Sequence, residues 1–312
     1  GKAKVADAGA VEQEIARSKA LGARYLLMGD KDYPFLLEQM EGAPPALIVR
    51  GDATLAARQC VAMVGARNAS AAACRFARSL AQELGQQGAV AVSGLARGID
   101  TAAHQGSVAT GTIAVIACGL DVVFPPENGD LQEQVATEGL LVTEHPPGTQ
   151  PLARHFPARN RIIAGLAAGT VVVEAAPRSG SLITARLAVE AGREVMAVPG
   201  SPADPRAQGC NQLIREGATL VQNGADVVEA IGGIDSRMVR QGSLDFAGEP
   251  VSSDVAGRER EAVLGLLGHA PVPVDEIIRL SAFSPAIVQT VLLELELAGR
   301  LERHAGGRVS LS

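Results

Sequence analysis

Two arginines and an asparagine stand where a polar loop changes into an apolar helical segment, within residues 155–165. Pro157 suits the first turn of this helix, because the N–H group that proline lacks would have no partner there. Arg159, Asn160 and Arg161 would then lie beside a helix N-terminus, where free amides and the helix dipole favour an anion. Groups of this type in this position are candidate ligands for a phosphate.

Loops that combine arginine with glycine or serine also follow three of the short apolar segments of the chain. If these segments are parallel strands, the loops after their carboxyl ends meet at one edge of the sheet, where open α/β sheets bind ligands. Glycine and serine allow backbone amides to point outward at such an edge, and arginine offers a phosphate two parallel hydrogen bonds. The candidate ligands in these loops are Arg67, Arg97, Arg178, Ser179, Gly180 and Ser181.

Structural interpretations compete with these chemical ones. The two arginines of the helical segment could pair with acidic neighbours such as Glu144 and Glu174, and the residue types alone favour neither interpretation. Asp100 and His104 have the i, i+4 spacing of a metal-binding pair on one helix face. Because the sequence offers no evident third ligand, we favour a structural histidine at this position.

The sequence also limits which anion this edge could bind. Between residues 57 and 232 there are 13 arginines and 15 acidic residues, so this segment has a net charge of −2 although its loops are locally basic. The loop after the first apolar segment contains one glycine, which does not match the G-x-G-x-x-G pattern of a dinucleotide site. The segment contains no lysine, which excludes a P-loop ATPase. We therefore expect no cofactor.

The alternation of apolar and helical segments indicates the fold that must position these loops. Hydrophobic residues make up 47% of the 312 residues and aromatic residues only 3%, so aliphatic side chains must fill the core. From Cys60 onward, short runs rich in valine or isoleucine alternate with helical stretches, as in parallel strands covered on both faces. We predict an α/β fold with a doubly wound, Rossmann-like parallel sheet. The predicted strands are 60–64, 89–92, 112–117, 140–143, 170–173, 194–198 and 219–221.

Changes in composition divide the chain into four segments. Residues 1–56 are predicted to form an N-terminal extension, and residues 57–234 the Rossmann-like domain that carries the candidate anion site. The polar stretch at 235–256 is typical of a linker. Residues 257–312 are predicted to form a small C-terminal winged-helix domain, because three helical segments and a hairpin follow one another there.

Charge and cysteine content indicate the environment of the protein. The formal net charge of −6 means that any contact with nucleic acid must come from a local basic patch. None of the four cysteines forms a CxxC pair, and Cys60 and Cys118 lie in apolar runs, as buried thiols do in a reducing cytoplasm. No apolar run approaches the length of a membrane span, and the first residues do not resemble a signal peptide. We expect a cytoplasmic protein that does not enter the membrane.

An apolar run near the end of the Rossmann-like segment marks a candidate contact between subunits. Residues 210–220 place Leu213, Ile214 and Leu220 near the sheet edge, where an unpaired strand or an apolar patch invites a partner. The alternative is that these side chains pack inside the domain. We favour a two-fold homodimer.

Four motifs together resemble the DNA-processing protein A family (DprA/Smf). They are VGAR at 64–67, SGLARGIDTAAH at 93–104, FPARNRIIAG at 156–165 and RSGSLITA at 178–185. The resemblance extends over roughly residues 25–231, and a winged-helix tail fits it. It implies a protein without enzymatic activity that binds and protects single-stranded DNA and helps to load the RecA recombinase, notably during natural transformation of competent cells. It also implies a dimer joined at 209–220 and a DNA contact made by Arg67.

Two features depart from the family pattern. Many members carry a DNA-contacting lysine in a Tyr-Pro-Lys segment, where this chain has Phe124, Pro125 and Pro126. The resemblance therefore predicts that this contact is lost or replaced. We also expect the N-terminal helical domain that is common in the family to be absent or truncated.

Two other functions compete with DNA binding. A nucleoside-monophosphate hydrolase of the LOG type needs the sequence P-G-G-x-G-T-x-x-E, whereas the corresponding turn here is followed by Ala185, although Glu174 could be recruited. A ligand-sensing winged-helix repressor needs basic groups on its third helix to meet duplex DNA. Residues 284–298 contain no lysine or arginine and include Glu294 and Glu296. Both alternatives are therefore disfavoured.

Overall fold

A computed structural model describes residues 7–232, 257–268, 270–281, 283–304 and 308–311. The chain divides into two compact units, Gly1–Gln241 and Gly242–Ser312. The predicted linker at 235–256 lies outside the described residues. The two units are described separately below.

Nine short strands form one sheet in the larger unit. They are β1 (Arg24–Leu27), β2 (Ala46–Gly51), β3 (Cys60–Gly65), β4 (Val90–Ser93), β5 (Thr112–Val115), β6 (Leu140–Thr143), β7 (Gly169–Val173), β8 (Glu194–Ala197) and β9 (Thr219–Leu220). Their order across the sheet is β1-β2-β6-β5-β4-β3-β7-β8-β9. All neighbours from β6 across to β9 pair in parallel, which confirms the predicted doubly wound, Rossmann-like sheet.

Helices cover both faces of this sheet and supply the crossovers between parallel strands. They are α1 (Ala8–Ala20), α2 (Phe35–Glu38), α3 (Ala71–Gln86), α4 (Ile99–Ser107), α5 (Gly129–Glu138), α6 (His155–Leu166), α7 (Gly180–Glu190), α8 (Gln208–Arg215) and α9 (Gly224–Ile231). In the part of the chain that the structure describes, no helix is both long and apolar enough to cross a bilayer.

The side chains of β3 show how one continuous apolar strand serves two cores. Val61 and Met63 are fully buried and pack on the face that α3, α4 and α9 cover. Cys60, Ala62 and Val64 alternate with them and pack on the face that α6, α7 and α8 cover. Because both faces are buried, the strand carries aliphatic residues throughout instead of alternating apolar with polar ones.

Strands β1 and β2, which lie in the predicted N-terminal extension, belong to the same sheet as the Rossmann-like segment. Strand β2 pairs antiparallel with β6, with Ile48 opposite Thr143, and β1 pairs antiparallel with β2. Without β2, strand β6 would be an open sheet edge, and an antiparallel neighbour can cover such an edge without a crossover helix. The predicted boundary between residues 56 and 57 therefore does not separate two compact units.

The described residues of the smaller unit form three helices and a three-stranded sheet. Its elements are α10 (Gly257–Gly265), β10 (Val272–Pro273), α11 (Val274–Ser281), α12 (Pro285–Leu297), β11 (Leu301–His304) and β12 (Arg308–Leu311). Strand β12 lies between β10 and β11 and pairs antiparallel with both. One face of α12 packs into the core of this unit through the buried side chains of Val288, Val291, Leu292 and Leu295. Three helices followed by a hairpin confirm the predicted winged-helix domain.

Candidate nucleic-acid interface

The loops that follow β3, β4, β5 and β7 line two adjoining cavities at the carboxyl edge of the sheet. The smaller one, about 250 Å³ in volume, includes Phe124 and Phe156, and we call it the aromatic cavity. The larger one, about 640 Å³ in volume, includes Asn160 and the N-terminus of α7, and we call it the polar cavity. Arg67 lines both cavities. The polar cavity opens between β3 and β7, where the strand order reverses and doubly wound folds bind ligands.

Arg67 joins the aromatic side chains to the polar ones. It is exposed, and its guanidinium carbon lies 5.1 Å from the centre of the Phe156 ring, which is a cation–π contact. The ring centres of Phe156 and Phe124 are 5.5 Å apart and tilted by 50°. Phe124 remains 38% exposed. An aromatic face beside a cation is suited to a base and its phosphate.

Close backbone packing fixes the loop that carries Arg67. A Cβ atom on Gly65 would overlap the side chain of Ile99 and the carbonyl oxygen of Val173, so only glycine fits at this position. Gly98 has a φ of 77°, in the left-handed region that favours glycine, and its Cα lies against the backbone of residues 66 and 67. The amide of Ala66 donates to the carbonyl of Glu174 at 2.8 Å. The loops after β3, β4 and β7 therefore pack as one layer.

Glu174 is part of this layer. Its carboxylate accepts hydrogen bonds from the backbone amide of Ser70 at 2.8 Å and from the Ser70 hydroxyl at 2.6 Å. The same hydroxyl accepts from the amide of Ala73 and caps α3. Both carboxylate oxygens of Glu174 are thus engaged in holding the start of a helix, and they pair with Ser70, not with the predicted arginines.

Seven of the predicted site residues line the polar cavity. The hydroxyl of Ser179 caps α7 and lies 2.7 Å from the hydroxyl of Ser181. Asn160 donates from Nδ2 to the carbonyl of Gly180 at 3.5 Å, and Arg178 is exposed with a φ of 68°. A helix N-terminus flanked by hydroxyls and arginine favours an anion. The seven residues are Arg67, Arg159, Asn160, Arg178, Ser179, Gly180 and Ser181.

Arg159 is not at the rim where the sequence places it. It lines the polar cavity, but only 4% of the residue is exposed. Nη1 donates to the carbonyl oxygens of Gly94 and Val115, at the ends of β4 and β5. Burial lowers the pKa of Arg159 to about 10, and the nearby charge of Arg67 acts in the same direction. The α6 helix begins at residue 155, and residue 159 is on its inner face, so this arginine points into the protein.

Arg161 and Arg97 do not line the polar cavity. Arg161 forms an ion pair with Glu144, with 25% and 19% of the two side chains exposed, and it lines neither cavity. Arg161 therefore forms the ion pair with an acidic neighbour that was the structural alternative to phosphate binding. Arg97 lines the aromatic cavity, is 66% exposed, and its Nε lies 3.4 Å from a carboxylate oxygen of Glu127.

Asp100 and His104 have structural partners. Asp100 accepts hydrogen bonds from the amides of Gly94 and Ala96, and burial raises the pKa of its carboxyl. Nδ1 of His104 lies 2.8 Å from the hydroxyl of Thr112, and burial lowers the pKa of this imidazole to about 3, so it is neutral at physiological pH. Among the described residues, no group of three potential metal ligands occurs. The structural interpretation of this pair is the one that the contacts support.

The predicted contact residues between subunits lie along a groove at the far edge of the sheet. Leu220 is 45% exposed on the edge strand β9, and Val189 on α7 is 64% exposed. Leu213 and Ile214 on α8 are partly buried and pack against the core. The groove that these residues line has a volume of about 1130 Å³.

In the winged-helix unit, Glu294 on α12 pairs with Arg260 at 2.7 Å, so the acidic charge on this helix is partly compensated.

Comparisons with known proteins match both units. The family described as DNA recombination-mediator protein A matches residues 24–232, and the DprA winged helix domain matches residues 248–307. The DNA processing protein DprA of Streptococcus pneumoniae is 48% identical over 201 residues, which are 64% of this chain and 71% of that protein. Protein Smf of Escherichia coli is 38% identical over 291 residues, which are 92% of this chain and 77% of that protein.

Solved structures show the same relationship. The X-ray structure of DprA from Streptococcus pneumoniae has a TM-score of 0.68 at 43% identity and covers 72% of this chain and 78% of that chain. The structure of DNA processing protein A from Helicobacter pylori, described by its single-stranded DNA binding mode, has a TM-score of 0.59 at 27% identity. It covers 70% of this chain and 96% of that chain. The chain therefore belongs to the family of DNA recombination-mediator protein A, as its four motifs predict.

Proposed function

We propose that this chain binds single-stranded DNA at the two cavities and protects it during DNA processing for transformation. The observation that carries this proposal is the position of Arg67, which lines both cavities: it contacts the ring of Phe156, beside the tilted ring of Phe124, and shares the polar cavity with the helix N-terminus of α7. Rings can stack on bases of any sequence, while arginines and amides can bind the phosphates between them. The described binding mode of the Helicobacter pylori relative supports the same ligand.

The predicted site residues fall into two groups under this proposal. Arg159 is enclosed and Arg161 is paired with Glu144, so we assign both to the support of the site. The proposed DNA contacts are Arg67, Arg97, Asn160, Arg178, Ser179, Gly180 and Ser181, together with the rings of Phe124 and Phe156.

A binding measurement across salt concentrations tests this function. We expect a short labelled single strand to bind more tightly than a duplex of the same sequence, because paired bases cannot stack on the two rings. The logarithm of the affinity should fall linearly with the logarithm of the salt concentration, by about 0.7 for each phosphate that the protein neutralises. Equal affinity for both forms, or affinity that does not depend on salt, would contradict the proposal.

We also propose that the chain has no hydrolase activity. Glu174, the acid that a LOG-type hydrolase could recruit, already accepts two hydrogen bonds from Ser70. A catalytic carboxylate must instead reach the bond that breaks. Release of free base from a nucleoside monophosphate would overturn this part of the proposal.

The family resemblance leads us to propose that RecA is the partner and that the protein acts in the cytoplasm of competent cells. All four cysteines are free thiols, which suits a reducing compartment. We expect the protein to speed assembly of RecA on a single strand already coated by another binding protein. The DNA-dependent ATPase rate of RecA reports this assembly, and an unchanged rate would argue against RecA loading.

We propose that the groove beside β9 joins two copies of the chain in a two-fold dimer. Exposed apolar side chains beside an unpaired strand favour such a contact. The change Leu220→Arg should convert a dimer into a monomer without unfolding it, because the side chain is 45% exposed in the single chain. Sedimentation at micromolar concentration measures the change.

A matched control for this change exists at the opposite edge of the sheet. Leu27 on β1 is 51% exposed, and Leu27→Arg should leave the dimer intact. A parent chain that is monomeric at micromolar concentration would rule out the dimer. If instead both variants dissociate equally, the contact does not lie beside β9.

A further inference from the structure

The buried guanidinium of Arg159 connects three parts of the site. Its Nη1 donates to the carbonyl oxygens of Gly94 and Val115, which end two neighbouring strands. The peptide of Gly94 is also held from its other side, because its amide donates to the carboxylate of Asp100 at 3.1 Å. The charge of Asp100 in turn favours the charged form of Arg159. Gly94 is therefore held at both its amide and its carbonyl.

The contact between Arg159 and the loop requires a residue without a side chain at position 94. A Cβ atom built on Gly94 would overlap the guanidinium of Arg159, at Nη1, Cζ and Nη2. This glycine does not have a positive φ, so its backbone conformation is open to other residues. The space that the missing Cβ leaves is occupied by the arginine. Gly94 and Arg159 thus fit each other, although 65 residues separate them in the sequence.

The loop that this pair holds sets the position of the exposed arginines. Residues 94–98 carry Arg97, and Gly98 at the end of the loop packs on the backbone of Arg67. The amide of Ile99 donates to the carbonyl of Ala66, the residue before Arg67, at 3.3 Å. A shift of the loop would therefore move both Arg67 and Arg97 at the edge of the two cavities.

We propose that Arg159 is a positioning residue that holds the loop after β4 in place and thereby orients Arg67 and Arg97 toward DNA without itself contacting a phosphate. This inference rests on the proposed function, because DNA binding is its main readout. In the competing role, Arg159 binds a phosphate directly. Its Nε has no hydrogen-bond partner among the described residues and could donate to a phosphate oxygen. The two roles predict different effects on the DNA-free protein, because only the positioning role requires the loop to loosen when the guanidinium is removed.

Three variants of the full chain separate these roles. Arg159→Met keeps a long side chain but removes every donor, Arg159→Lys restores donors that can reach carbonyl oxygens, and Arg67→Ala removes an exposed charge. We expect Arg159→Met to bind a labelled single strand more than about tenfold more weakly, because Arg67 and Arg97 are then no longer oriented toward its phosphates. Arg159→Lys should recover most of the affinity, and Arg67→Ala should lower the salt slope by about 0.7.

Hydrogen exchange supplies a readout that does not require DNA. The amides of Gly94 and Ala96 donate to Asp100 in the parent chain, so they should exchange faster in Arg159→Met and at the parental rate in Arg159→Lys. Parental affinity for DNA in Arg159→Met would overturn the positioning role, as would exchange of these amides at the parental rate in Arg159→Met. If the parent chain binds no single-stranded DNA, the proposed function is wrong, and the exchange rates still decide whether Arg159 holds the loop.

Discussion

The variant Arg67→Ala should bind single-stranded DNA about tenfold to a hundredfold more weakly than the parent chain. A charge-assisted hydrogen bond to a phosphate is worth about 1.5–3 kcal/mol, and the variant also loses the cation–π contact with Phe156. Because one neutralised phosphate is lost, the salt slope should decrease by about 0.7. Anisotropy titrations of a labelled strand at several salt concentrations give both quantities.

The control for Arg67→Ala must remove the same charge without disturbing the fold. Arg58 and Arg193 do not follow the carboxyl end of a strand, but they are unsuitable as controls: Arg58 donates to the carbonyls of Thr110 and Gly88, and Arg193 donates to that of Leu36. Arg24 is suitable because it is 51% exposed on the edge strand β1, in a surface pair with Asp32. If Arg24→Ala weakens binding as much as Arg67→Ala, the contact is not localised at the cavities.

The double variant Phe124→Leu with Phe156→Leu should weaken binding by about tenfold or more while leaving the salt slope unchanged. Stacking of one base on an aromatic ring contributes about 1–3 kcal/mol, and leucine keeps the apolar volume but has no ring face. No charge is removed, so the number of neutralised phosphates stays the same. The same titrations that test Arg67 measure this variant.

Phe76→Leu is the matched control for the phenylalanine pair, because Phe76 lies on α3 and packs against the core, away from both cavities. Its affinity for DNA should equal that of the parent. Parental affinity in the double variant would mean that bases do not stack in the aromatic cavity. A reduced salt slope would mean that the rings act by holding Arg67 and not by stacking.

Much of the fold could be predicted from the sequence because buried parallel strands leave a direct signature. Strands such as β3 and β7 face helices on both sides, so they are short, continuous aliphatic runs that periodicity detects. The role of β2 could not be predicted in this way. Whether β2 can pair with β6 depends on β6 having no other neighbour on that side. This follows from the topology of the whole sheet and not from local composition.

The location of the candidate site could be predicted from the sequence, but only some of the residues that form it could be. Residues that follow strands, such as Arg67 and Arg178, meet at one edge because parallel strands all end there. Arg159 lies within a helix, and whether a helical residue faces inward depends on how α6 rotates against the sheet. Phe124 is not among the predicted site residues, because its segment stands out in the sequence only by lacking the lysine of the family pattern. The scarcity of aromatic residues was a usable signal, since two of the six phenylalanines meet here.

The uneven distribution of charge has a consequence for how a strand reaches the site. The segment from 57 to 232 has a net charge of −2, whereas the exposed arginines 67, 97 and 178 are concentrated at one edge. A polyanion is therefore repelled by most of the surface and attracted along one direction, toward the ends of β3, β4 and β7. Such a field selects the orientation of an encounter before any contact forms, and added salt weakens it. The speed of capture then depends on where the arginines are placed, not on how many the protein has.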